Sequence, residues 1–75
     1  MRYVQYYRKH EDKMIEEIGD RGVVILDARN SINTSIRDAK EFNGNRRPIY
    51  NGFKIFQGES FLNANPITEL IKIHH

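Results

Sequence analysis

Between Gly22 and Asp27 the chain runs Val-Val-Ile-Leu with no polar residue to interrupt it. Such a run, mostly β-branched and bounded by a glycine and a carboxylate, specifies a strand buried on both faces, as its lack of alternation indicates. A strand of that kind needs neighbours and a cover, so the rest of the fold must be arranged around it. The chain has 75 residues, which limits it to one domain, residues 1–75, with a modest core. It contains no cysteine, so neither disulfides nor thiolate-bound zinc can brace that core. A good sheet–helix interface or oligomerisation must do so instead.

The flanking segments supply candidates. "RYVQYY" (2–7) is aromatic and β-branched and reads as a strand. In 8–19, Met14, Ile15 and Ile18 share a helical face and "EDKMIEE" is built of good helix formers, so helix is the preferred expectation. The alternative is a hairpin in which "HEDK" turns 2–8 back along 13–18. "RNSINTSIRDAKEFNG" (29–44) reads as a capped helix. Asn30, Ser31, Asn33 and Thr34 offer N-cap oxygens, Ser35 and Asp38 resemble a capping box, and Ile32, Ile36, Ala39 and Phe42 form an apolar stripe.

Further on, Asn51-Gly52 signals either a two-residue hairpin turn or a bulge in a single strand over 49–57. Phe61-Leu62 is expected to pack back onto the core. "ITELIKIHH" (67–75) alternates and reads as a last strand. The expected fold is α+β: a small, mostly antiparallel sheet of about four strands with one or two helices packed on one face. Its expected core is Val4, Tyr6, Ile18, Val23, Val24, Ile25, Leu26, Ile36, Ala39, Phe42, Ile55, Phe56, Leu70 and Ile71.

Catalytic chemistry finds little support. No G-x-S-x-G elbow surrounds a serine, and the histidines are His10, His74 and His75, near the ends of the sequence. The glycines match neither phosphate-loop pattern. Adjacent His74 and His75 would point to opposite faces of a strand, which disfavours a shared metal ion. No cofactor, metal or catalytic residue is expected, and the chain is read as a non-enzyme. "VVILDAR" (23–29) resembles the strand that opens rhodanese-like domains, and "TSIRDA" continues the likeness over one helix. Rhodanese catalysis depends on a cysteine loop, which a chain without cysteine cannot form. What the likeness leaves is Asp27, placed to line a site at a strand end or, with Asn30, to cap the following helix.

Charge is unevenly distributed although the net value is only +2. Residues 1–9 carry +3, residues 10–27 carry −4, residues 28–57 carry +4 and the remainder −1. The basic third segment interleaves with aromatics: Arg37, Arg46, Arg47 and Lys54 lie near Tyr50, Phe53 and Phe56. Cations beside rings suit a partner surface, and Arg37, Arg46, Arg47, Tyr50, Phe53 and Lys54 are the candidate partner-binding residues.

The expected function is a small non-enzymatic interaction protein that binds another protein. Exposed Tyr3, Tyr7, Tyr50 and Phe53 are its motivation, and self-association through a sheet edge to give a homo-oligomer belongs to the same reading. The small size and seven asparagines suit a phage or mobile-element accessory protein. The alternative is a nucleic-acid-binding domain using the basic and aromatic segment 37–56. No apolar run reaches the length of a membrane span and the start lacks a signal-peptide core, so a cytoplasmic protein without a membrane partner is expected.

Overall fold

The computed structural model describes residues 1–17, 22–45 and 49–73, the Phe61 side chain excepted. Ile18, Arg46, Arg47, Pro48, His74 and His75 lie outside the described residues. In chain order the elements are β1 (Arg2–His10), β2 (Lys13–Glu16), β3 (Val23–Leu26), α1 (Ile32–Gly44), β4 (Gly52–Gln57), β5 (Asn65–Pro66) and β6 (Ile71–Lys72). All the strand pairings are antiparallel, and the result is a small α+β fold with one described α-helix on a curled sheet.

β1 is the organising strand. Along one side it pairs with β4, from Arg2 opposite Gln57 to Tyr7 opposite Gly52. Along the other it pairs first with β3, Arg2 opposite Leu26 to Gln5 opposite Val23, and then with β2, Tyr7 opposite Glu16 to His10 opposite Lys13. Where β1 passes from one of those partners to the other, Gln5 Nε2 donates to the Glu17 carbonyl at 2.8 Å and to that of Gly22 at 3.2 Å. A buried carboxamide thus serves backbone acceptors that no neighbouring strand reaches.

The helix expected over 8–19 is replaced by the β1–β2 hairpin, with Glu11 at φ 56 in its turn. Helix propensity is a weak prior, and pairing along β1 outweighs it here. β3 forms where expected, but it is not buried on both faces. Among the described strands it pairs only with β1, and Ile25 is 63% exposed.

α1 is capped by Ser31, whose Oγ accepts the Thr34 N–H at 3.1 Å; Asp27, Asn30 and the Ser35–Asp38 pair do not cap it. Its buried face is Ser35, Ala39 and Asn43, flanked by Ile36, whereas Ile32 and Phe42 are exposed. The apolar stripe is therefore out of phase with expectation, because polar residues dock the helix. The Arg2 guanidinium donates to Ser35 Oγ at 2.8 Å and to the Asn30 carbonyl at 2.6 Å. The Tyr6 hydroxyl donates to the Ala39 carbonyl at 2.6 Å. The Asn43 carboxamide takes both the N–H and the carbonyl of Tyr50.

The core lies between α1 and the sheet: Val4, Tyr6, Leu26, Ala39, Tyr50, Phe53 and Ile55, with Val24, Ile36, Ile71 and Ile73 packed against it. Tyr6 stacks on Tyr50 at 5.4 Å and meets Phe53 edge-on at 6.1 Å. Val23, Ile25, Phe42, Phe56 and Leu70 leave the expected core, while Tyr50 and Phe53 enter it.

Asn51-Gly52 is not a hairpin turn. β4 is a single strand, as in the competing expectation, and Asn51 extends its pairing. The Asn51 N–H donates to the Tyr7 carbonyl, Oδ1 accepts the Lys9 N–H, and the Asn51 carbonyl accepts the Ile73 N–H, all at 2.8–2.9 Å. Of the expected last strand over 67–75, β6 forms among the described residues, and β5 lies just before it. Phe56 pairs with Pro66 but Gly52 with Lys72, so the outer chain carries extra residues that must leave the ladder between β5 and β6. Leu62, expected to pack inward, is 93% exposed in a 3₁₀ turn (Phe61–Asn63).

Candidate binding surfaces

Side chains alternate across a sheet, so the register fixes which residues face α1 and which face away. Arg2, Val4 and Tyr6 touch or underlie the helix, and with them lie Val24, Leu26, Phe53, Ile55 and Ile71. The opposite face carries Tyr3, Gln5, Tyr7 and Lys9 from β1, Met14 and Glu16 from β2, and Val23 and Ile25 from β3. Lys54 and Phe56 of β4, Pro66 of β5 and Lys72 of β6 complete it.

Four of the six candidate partner-binding residues are described, and those four do not share one surface. Tyr50 and Phe53 are both 0% exposed and belong to the core, which corrects their expected exposure. Tyr3 is likewise buried and Tyr7 half-buried. Burial of an aromatic ring contributes about 1.5–3 kcal/mol, and in so short a chain those rings are the largest apolar groups to hand. Arg37 projects from α1 beside Asp38 at 3.8 Å, on the side of the sheet opposite to Lys54. Arg46 and Arg47 lie outside the described residues.

Lys54 retains a surface role. Its Nζ stands 5.8 Å from the centre of the Tyr7 ring on the face away from the helix. Partial burial, and then the nearby Glu16 carboxylate, push the Tyr7 hydroxyl above its ordinary pKa. Lys9 and Lys72 are exposed on the same face and Glu16 is its one carboxylate among the strand residues. The sequence signal that would have found this face is the alternate spacing of Tyr7 and Lys9 and of Lys54 and Phe56. It becomes informative only once the side covered by α1 is known.

The second surface is the outer edge of β3. Met1 and Gly58 exchange two backbone bonds, so the odd residues of β1 direct their backbone groups towards β4. The even residues face the other way, as the Glu17 N–H on the Tyr6 carbonyl at 3.1 Å confirms. Arg2 and Val4 therefore bond to Leu26 and Val24, and Val23 and Ile25 turn their N–H and carbonyl groups outward. No described strand pairs with that edge.

Asp27 does not line a cleft. Its carboxylate accepts the Arg29 backbone N–H at 2.9 Å and grips the Arg29 guanidinium through both oxygens, in the turn between β3 and α1. The Arg29 hydrogen bonds hold the carboxyl at about 2, well below its ordinary range. Among the described residues no three His, Asp or Glu side chains converge as metal ligands, and no described helix is long and apolar enough to cross a membrane.

Comparison with known protein families, with curated proteins and with solved structures finds no match to this chain.

Proposed function

We propose that this chain is a non-enzymatic interaction module that works by strand addition at the outer edge of β3, with a second copy of itself as the occupant. The observation that carries the reading is Ile25, an isoleucine 63% exposed on a strand whose outward backbone groups have no described partner. Natural sheets protect such edges with charge, proline or a covering element, and Val23–Leu26 carries neither charge nor proline and has no described strand along its outer edge.

A twofold pairing suits the sequence of the edge. With Val24 at the dyad, Val23 of one copy lies opposite Ile25 of the other, and the outward N–H and carbonyl groups of both are satisfied. The same register places the exposed isoleucine of each copy beside a valine of its neighbour, which buries it.

Sedimentation velocity tests the reading. The wild-type chain is expected to sediment as a dimer. Ile25→Lys, at an exposed position, and Val23→Pro, which removes an outward donor without touching the bonds to β1, are expected to yield folded monomers. A wild-type chain that stays monomeric at every concentration, or a dimer that both substitutions leave intact, overturns the proposal.

A further inference from the structure

We infer that the sheet face opposite α1 is a binding platform for single-stranded nucleic acid. This face is not the β3 edge; it shares Lys54 and Phe56 with the 37–56 segment that the sequence singles out and adds Tyr7, Lys9 and Lys72 from other strands.

The observation is a juxtaposition that the strand register creates. Lys9, Lys54 and Lys72 come from three strands distant in sequence and share one face, where Glu16 is the one carboxylate among the described strand residues. Tyr7 and Phe56, both half-buried, lie among them, with Tyr3 between Ile25 and Phe56. The outer side of α1, by contrast, alternates Arg37, Asp38, Lys40 and Glu41 and has no net charge. Among the described strand residues, this face thus joins three lysines and one carboxylate to aromatic rings.

Each part has a defined task. Bases stack on aromatic rings held flat in a sheet, with little regard to sequence, because every base has a π-face. Phosphates meet the lysines, which act as mobile point charges rather than as bidentate readers of base edges. The face carries no described helix or loop to enter a duplex groove, so splayed single-stranded bases fit it better than a duplex. The geometry therefore assigns affinity to backbone charge and stacking, with weak sequence preference.

Fluorescence anisotropy with labelled, mixed-sequence single-stranded DNA and RNA oligonucleotides tests the inference on the full chain. Three lysine–phosphate contacts give a slope of about −2 in log affinity against log salt. Combined Lys9→Gln, Lys54→Gln and Lys72→Gln is expected to flatten that slope and weaken binding at least about tenfold at low salt. Phe56→Leu is expected to weaken binding about fivefold or more while leaving the slope unchanged. Combined Arg37→Gln and Lys40→Gln on the helix is expected to change neither, and thermal melts report whether each variant is folded. The inference is overturned if the folded wild-type chain fails to bind at low salt, or binds duplex as tightly as single strands. It also falls if the helix pair weakens binding as much as the lysine triple. Should Phe56→Leu unfold the chain, the lysine triple decides the matter.

Discussion

Asn43 and Tyr50 are joined by two hydrogen bonds, the side chain of one to the backbone of the other. Asn43 Nδ2 donates to the Tyr50 carbonyl at 3.1 Å, and Asn43 Oδ1 accepts the Tyr50 N–H at 2.8 Å. The carboxamide acts as a peptide unit would in a neighbouring strand, and it holds the chain entering β4 against the end of α1. Both residues are almost wholly buried. Replacing Asn43 by leucine keeps the volume but strips partners from two buried backbone groups, each costing about 1–3 kcal/mol. Asn43→Leu is therefore expected to lower stability by about 2–5 kcal/mol in urea unfolding. A loss below about 1 kcal/mol would show that water reaches Tyr50 in the variant.

Two glycines should respond in opposite directions to the same substitution. A Cβ on Gly58 would stand 2.7 Å from Ala64 Cα and 2.8 Å from the Asn63 carbonyl oxygen, backbone atoms that cannot swing aside. Gly58→Ala is expected to destabilise the fold by about 1–3 kcal/mol. A Cβ on Gly44, the last residue of α1, meets nothing within 4 Å. Gly44→Ala is expected to raise stability by about 0.5–1 kcal/mol, since it removes only unfolded-chain freedom. Paired thermal melts compare them directly.

The Asp27–Arg29 clamp sets a pH window. Because the folded-state pKa of Asp27, about 2, lies below its ordinary value of 3.8, the clamp contributes fully above that ordinary value. Its contribution fades as pH falls from there through about 2. Carbon-detected NMR titration is expected to place the Asp27 carboxyl midpoint near 2, and Arg29→Gln is expected to return it towards the ordinary range. An unchanged midpoint in that variant would remove Arg29 as the cause.

Much of the architecture is legible before any coordinate is known, and the misreadings share a cause. β1, β3 and α1 follow from apolar runs and a capping serine. The helix over 8–19 fails because Glu, Lys and Met favour helix only where tertiary pairing is silent, and β1 is not silent. The phase of α1 fails because hydropathy places Ser35 and Asn43 outward, whereas each is buried to receive or make a specific hydrogen bond. Asn51-Gly52 reads as a turn because side-chain amides usually serve their own turn; here Asn51 Oδ1 serves Lys9 on another strand. The candidate site fares worst, since its members divide between two faces whose identity depends on where the helix lies. Lys54 alone of the six is placed on the face now assigned to nucleic acid.

The position of β1 has a consequence for how the molecule assembles. Its partner β2 follows across a tight turn, and β3 lies close behind, so these pairings close short loops. The pairing of Tyr3 with Phe56 must instead gather nearly the whole intervening chain, α1 included. Short closures form on the microsecond scale, whereas non-local strand pairing is slow. The β1–β4 seam is therefore the rate-setting event, and until it forms the central strand has one open side. Mutations that weaken the seam or the earlier hairpin should slow folding, and those in contacts made after the seam should speed its reversal.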